Sequence, residues 1–176
     1  MKKSFLLVTS LLTLSVNLFS QNLMSDSAVS QPKTIVRLSL LIPGFEVEQT
    51  IARNKTIVFS LWTAFSYIQT SSEQGSTSSL SFYPGFSVQP RFYRNLEERR
   101  EMGKTTEYYS GMYIGIPLSV FKIEDFGASG GIEAGFQKKL GKSGFWDISL
   151  GVGLRSYDGQ TGITPLGNLS LGFILN

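Results

Sequence analysis

Seven charged residues of this 176-residue chain interrupt segments otherwise built from apolar and small residues: Arg37, Glu46, Glu48, Arg91, Glu133, Asp147 and Arg155. Three are cations and four are anions. Such near-balance suits a set of mutual ion pairs, because ions held away from water are costly unless paired. Catalysis is harder to assemble from the same chain. It contains neither histidine nor cysteine, so the ordinary base near neutral pH and the thiolate nucleophile or metal ligand are both missing. Glu133 or Asp147 could act as a base, yet no serine is paired with either by its spacing. Gly141-Lys142-Ser143 ends like a phosphate-binding loop, but Gly135 precedes it by five intervening residues where four are required, and no strand-to-helix context follows. "GVGLRS" at 151–156 lacks the third glycine of a dinucleotide fingerprint. Asn54-Lys55-Thr56 and Asn168-Leu169-Ser170 match glycosylation acceptors by a pattern short enough to arise by chance. Glu124 and Asp125 are adjacent acids of ordinary loop chemistry, at best a weak calcium site. The expectation is therefore no catalytic residue, no cofactor and no metal, with the seven charges acting as a structural network.

The elements that hold these charges follow period two. In "SLSFYPGFSVQPRF", 79–92, Leu80, Phe82, Pro84, Phe86, Val88, Pro90 and Phe92 form one row. Ser79, Ser81, Tyr83, Gly85, Ser87, Gln89 and Arg91 form the other. Alternation of this kind marks a strand with two unlike faces. It recurs at 57–67, 111–120, 145–155 and 168–175, and more weakly at 34–40, 44–51 and 130–139. Eighteen glycines and 12% aromatics fit strands and turns, so the fold class is all-β.

Which face looks inward decides the architecture. The second rows carry glycine, serine and single charges instead of the lysines, glutamates and threonines that cover a water-facing sheet. The lysines gather near both the start and the proposed turns, at 2, 3, 33, 55, 104, 122, 138, 139 and 142. Small residues with sparse ions suit a narrow barrel interior, and uniformly large apolar rows suit hydrocarbon. That inverted pattern, in segments of about ten residues, is the signature of a transmembrane β-barrel. A soluble periplasmic barrel binding a small apolar ligand is the alternative, with the apolar rows meeting in a core. Tyr67, Phe92, Tyr93, Tyr108, Phe121, Phe126, Phe136, Phe145, Trp146 and Tyr157 lie near strand ends and are expected in interfacial girdles.

Residues 1–20 open with Met1-Lys2-Lys3 and an apolar stretch ending at Ser20, the form of a secretory signal peptide. Residues 21–33 read as a flexible lead-in, and 34–176 as the barrel. The net charge is +3; losing Lys2 and Lys3 with the signal leaves +1 and no basic stripe, which argues against nucleic acid as a partner. Eight strands are expected at about 34–41, 44–51, 55–67, 78–92, 108–121, 128–139, 145–155 and 165–175, split at Pro43-Gly44 by a tight turn. An even number keeps both chain ends on one side. Loops at 42–43, 68–77, 122–127 and 156–164 then face outward. The charged connection "YRNLEERREMGKTTE", 93–107, is expected as a small helix or hairpin beneath the barrel.

"FSVQPRFYRN", "YYSGMYIGIPL", "EAGFQKKLGKSGFWDISLGVGL" and "PLGNLSLGF" together resemble the small outer membrane β-barrel domain proteins of Gram-negative bacteria, the so-called porin family of OmpA-like small barrels. The resemblance spans 34–175. It implies an exported cell outer membrane barrel whose partners are outer membrane lipid and the barrel-assembly machinery, and it brings no catalytic residues. A non-enzymatic barrel with a plugged interior and a structural, adhesive or small-solute role is the resulting expectation, with no ligand or solute identified. An outer membrane lipid-modifying enzyme is the runner-up.

Overall fold

The computed structural model describes residues 32–72, 75–123 and 125–175, and between 64 and 80 the backbone alone. The expected signal segment 1–20 and all but the last two residues of the lead-in lie outside the described residues. Those two are tied down: Thr50 N donates to the Lys33 carbonyl at 2.9 Å and Thr50 Oγ1 to that of Pro32 at 2.8 Å.

Among the described residues nine strands run in chain order: β1 Thr34–Ser39, β2 Gly44–Ala52, β3 Lys55–Ser72, β4 Gly75–Tyr93, β5 Gly111–Gly115, β6 Leu118–Lys122, β7 Phe126–Leu140, β8 Gly144–Tyr157 and β9 Gln160–Ile174. β5 and β6 both pair with β4 on one side and β7 on the other, so together they fill one position. Pro117 interrupts them because it has no N–H to give the ladder. β9 pairs with β1 through Arg37–Ile174, Leu38–Phe173 and Ser39–Gly172, which closes an antiparallel ring of eight strand positions. The Pro43-Gly44 split is present, since β1 and β2 form a hairpin across it.

Two expected loops are instead strand. β3 and β4 continue as a paired ladder to Ser72 and Gly75, taking up most of 68–77. β8 and β9 meet at Asp158-Gly159, both at positive φ, so 156–164 is largely a hairpin with a tight turn. The sequences there are mostly polar or small on both faces, with only Ile68, Tyr157 and Ile163 as large apolar or aromatic residues, too few to make an alternating row. The fifth position also starts later than expected, at Gly111, since Tyr108 and Tyr109 take φ 52° and 58°.

The strands are steeply inclined. Following paired residues around the ring from Leu38 through Phe45, Leu61, Phe86, Val120, Ala128 and Ser156 leads to Thr161 on β9. Leu38's own partner on β9 is Phe173, twelve residues along. With a rise of about 3.3 Å per residue and about 4.8 Å between strands, that stagger around eight strands sets a tilt of about 45°.

Side chains sort by parity. Arg37, Ser39, Glu46, Glu48, Thr56, Gln89, Arg91, Glu133, Gln137, Asp147, Ser149 and Ser170 are buried inside the ring. Phe82, Phe86, Leu118, Ile132, Leu150, Leu154, Ile163, Leu169 and Phe173 are exposed outside it. Three aromatics expected in girdles, Tyr93, Phe121 and Phe145, are instead buried. Each shares the parity of an interior residue two positions away (Arg91, Ser119 and Asp147), so its ring must point the same way. Phe92, Phe126, Phe136 and Trp146 do lie on the outer rows, with the last two rings 5.4 Å apart.

One end is plugged. Connection 93–107 holds helix α1, Leu96–Glu101, whose Leu96 is buried. Leu96, Tyr93, Tyr109, Tyr113, Ile35, Phe145 and Ile174 form one apolar cluster across that end. Tyr109 stacks on Tyr93 at 4.8 Å and donates its hydroxyl to Thr50 Oγ1 at 3.0 Å. Burial pushes the Tyr109 phenol up from 10.0 to about 12. The folded state thus favours the protonated ring, and its stabilising contribution is complete below pH 10 and lost as pH climbs toward about 12. Tyr109→Phe should flatten this alkaline fall in guanidinium midpoints, while costing about 1 kcal/mol at neutral pH for the lost hydrogen bond.

Candidate functional site

The interior divides into an ion network at the plugged end and a cavity above it. Two similar units make the network. In the first, Arg37 on β1 pairs with Glu48 on β2, and Glu48 also accepts from Thr56 Oγ1 at 2.6 Å and the Tyr93 hydroxyl at 2.8 Å. In the second, Arg91 Nη1 on β4 meets Asp147 Oδ2 on β8 at 2.8 Å, and Tyr113 donates its hydroxyl to Asp147 Oδ1 at 2.8 Å. Each unit is therefore an arginine, a carboxylate and a tyrosine from three different strands.

Gln137 on β7 joins them. Its Oε1 accepts from Arg91 Nη1 at 2.9 Å, and its Nε2 donates to the Tyr108 carbonyl at 2.7 Å and reaches Glu48 Oε2 at 3.5 Å. Arg91 Nε donates to Gln89 Oε1 at 2.8 Å, and Gln89 Nε2 donates to Glu133. Seven of the eight strand positions contribute to this one network. The eighth, β9, is joined to β1 by the Ser39 and Ser170 hydroxyls at 2.7 Å.

The arginines also use their flat faces. Arg91 lies 4.3 Å from the Tyr113 ring centroid and Arg37 lies 5.4 Å from that of Phe145. A guanidinium is weakly hydrated and stacks on rings while its edge serves carboxylates, which suits it to this setting better than lysine. Gly135 makes room for the arrangement, because a Cβ there would run into the Tyr113 ring. Arg37, Glu48, Arg91 and Asp147 are 1%, 0%, 3% and 1% exposed.

Six of the seven charges singled out from sequence thus sit together. Glu46 stands at the edge of the network, 3.8 Å from Arg37 Nη1, and with Glu133 it lines the cavity. Arg155 is the exception. It is exposed at the far side of the cavity, with its guanidinium 5.4 Å from the Phe121 ring. Parity places it on the inner row, but β8 runs on beyond the network and carries it away. Thr56, Gln89, Tyr93, Tyr113 and Gln137 are network members that charge alone does not reveal. The available signal is parity, since Gln89 and Tyr93 flank Arg91 at two residues on either side.

The cavity above has a volume of about 480 Å³ and is lined by Ser60, Ser87, Gln89, Arg91, Ser119 and Glu133 among others. Among the described residues no cluster of three acids is placed to hold a metal ion. Ser60 faces Glu46 across the β2–β3 pair and both line the cavity, so the lining offers hydroxyls beside carboxylates and an arginine for hydrogen bonding and charge. Comparisons with protein-family models, with curated proteins and with solved structures each return no match.

Removing Arg91 leaves Asp147 buried without its cation. Arg91→Met should cost about 3–5 kcal/mol, and adding Asp147→Leu should recover much of it, because the penalty is the stranded charge more than the lost pair. Guanidinium midpoints for the single and double variants test this; a double variant no more stable than Arg91→Met would refute it.

Proposed function

We propose that this chain is an integral outer membrane β-barrel protein of Gram-negative type, exported by its N-terminal segment and non-enzymatic, with a plugged lumen and a structural role in the envelope. One observation carries the reading: large apolar side chains face out all around the ring, and ions and hydroxyls face in. In water the outer row would cost about 25 cal/mol for each Å² of apolar surface it presents. In hydrocarbon the same row is favourable, and up to the level of the β1–β2 turn the closed ring pairs the backbone groups that lipid cannot satisfy. Leu150, mid-strand in β8, and Ile163, nearer the β8–β9 turn, are 73% and 82% exposed where a soluble sheet would place polar side chains. The resemblance of 34–175 to small outer membrane barrels supports the same reading.

The plugged end argues against a pore. The network and the aromatic cluster around Tyr93, Tyr109 and Tyr113 cross the lumen, and an eight-stranded barrel has little space beyond its own side chains. A soluble barrel holding an apolar ligand would need a wholly apolar interior, and here ions and hydroxyls occupy the network and the cavity floor. A lipid-modifying enzyme would need a nucleophile with an ordinary base beside it, and a chain without histidine or cysteine is poorly supplied with either.

Leu150→Arg and Phe86→Arg should each block membrane assembly, at about 2–4 kcal/mol near the midplane. Membrane fractionation with a heat-modifiability gel reads the outcome: the parent chain should fractionate with the membrane and shift on heating, and the variants should lose both properties. Normal insertion of both variants would overturn the proposal.

A further inference from the structure

The wall of the ring is uneven at the end opposite the plug. β1 and β2 stop at Ser39 and Gly44, which pair with Gly172 and Trp62. Their turn is stitched to both flanks at that level, Leu40 N to the Leu171 carbonyl at 2.8 Å and Thr63 N to the Pro43 carbonyl at 2.9 Å. β3 then continues to Ser72 and β9 begins as far back as Gln160. Among the described residues, those stretches pair only on their far sides, with β4 and β8. At the tilt derived above each residue climbs about 2.3 Å, so the β1–β2 turn stands about 15 Å below the β6–β7 and β8–β9 turns.

The turn itself is apolar. Leu40, Leu41 and Ile42 are 53%, 49% and 37% exposed. Other turns read Arg53-Asn54, Gly141-Lys142-Ser143 and Asp158-Gly159, as turns in water should. By the same arithmetic the outward apolar rows, from Phe92 and Phe173 up to Phe82 and Ile163, span about 25 Å, the height of a barrel's lipid-facing band. The Leu41–Ile42 turn falls in the middle of that band. Its composition and its level thus agree, and the low wall opens sideways onto hydrocarbon.

The cavity reaches this gap. Leu41, Ile42, Trp62, Thr63, Leu166 and Asn168 line its rim side. Gly85 lets the Trp62 ring lie flat against β4, since a Cβ there would meet the indole. At about 480 Å³ the space is within the ~300–1,000 Å³ range of ligand sites. Strand edges facing bare hydrocarbon leave backbone groups unsatisfied, at several kcal/mol each. Pro165, on the β9 edge, removes one such donor. An occupant must therefore bring polar groups to the edges and the serine-lined interior, and apolar groups to the rim and the bilayer.

We propose that the gap over the β1–β2 hairpin is a lateral port through which a phospholipid of the surrounding bilayer places its polar head in the cavity and leaves its acyl chain along Leu41, Ile42 and Leu166. The proposal rests on the membrane reading. Photolabelling tests it in phosphatidylethanolamine–phosphatidylglycerol vesicles containing the refolded full barrel. Two trace phospholipids are compared, one with a diazirine in the headgroup and one with a diazirine midway along an acyl chain, and labelled residues are mapped by mass spectrometry. The acyl probe should label Leu150 and its outer row and also Trp62 and Leu166, while the head probe should label Ser87 and Gln89. Ser87→Trp, which fills the cavity, should abolish the interior labels and leave the outer ones and the heat-modifiable gel shift intact. Labels confined to the outer row overturn the port while leaving the barrel in its membrane. Absence of label at Leu150 overturns the membrane reading, and the port with it.

Discussion

Burying charge inside a closed ring is the constraint on which this molecule turns. Arg37 and Arg91 can remain where they are only because oxygens from other strands converge on them. Each arginine faces a carboxylate and each carboxylate also accepts from a tyrosine, with Gln137 spanning the two units. Such a network is weak evidence for net stability, since desolvation offsets the Coulombic gain. Its consequence is geometric. Sliding any strand by one residue would turn its interior partner outward and bring a large apolar side chain into the ion cluster. Register is therefore specified on both faces at once.

This explains how much could be read from the chain. The all-β class and the inner and outer rows were legible because a single period-two signal encodes them, while the hairpin and the eight positions followed from the turn chemistry of Pro43-Gly44 and an even strand number. The network's neutral members were not legible, because Thr56, Gln89, Tyr113 and Gln137 look like ordinary strand residues until strands distant in sequence are brought together. Arg155 misled for the complementary reason: parity gives the side of the sheet but not the height along the barrel. Strand ends were lost wherever both faces are polar, as in the β3–β4 extension. The inward turn of Tyr93, Phe121 and Phe145 follows from parity that overrides any general preference of aromatics for interfaces.

Height is the quantity that pattern reading lacks, and height organises the interior. The buried network holds two arginines against Glu46, Glu48, Glu133 and Asp147. Glu48 and Asp147 are the ones gripped by arginine and tyrosine, deep at the plugged end. Glu46 and Glu133, the formal excess, lie where the cavity begins. A surplus of negative charge is tolerable only where polar groups or water can solvate it, so its position at the cavity floor is what the electrostatics require.

The seam between β9 and β1 sharpens the point. Only three residue pairs join these strands, against eighteen between β3 and β4. A ring with one such short seam would open there first if backbone pairing alone held it. Yet this seam lies at the level of the network and plug, with Ser39 bonded to Ser170, Ile174 packed in the apolar cluster and Arg37 anchored to Glu48. Side-chain closure at the plugged end thus substitutes for ladder hydrogen bonds at the open one. Shortening β1 and β2 is possible because the tie between first and last strands lies below the cut, and the same shortening that weakens the seam exposes the cavity to the side.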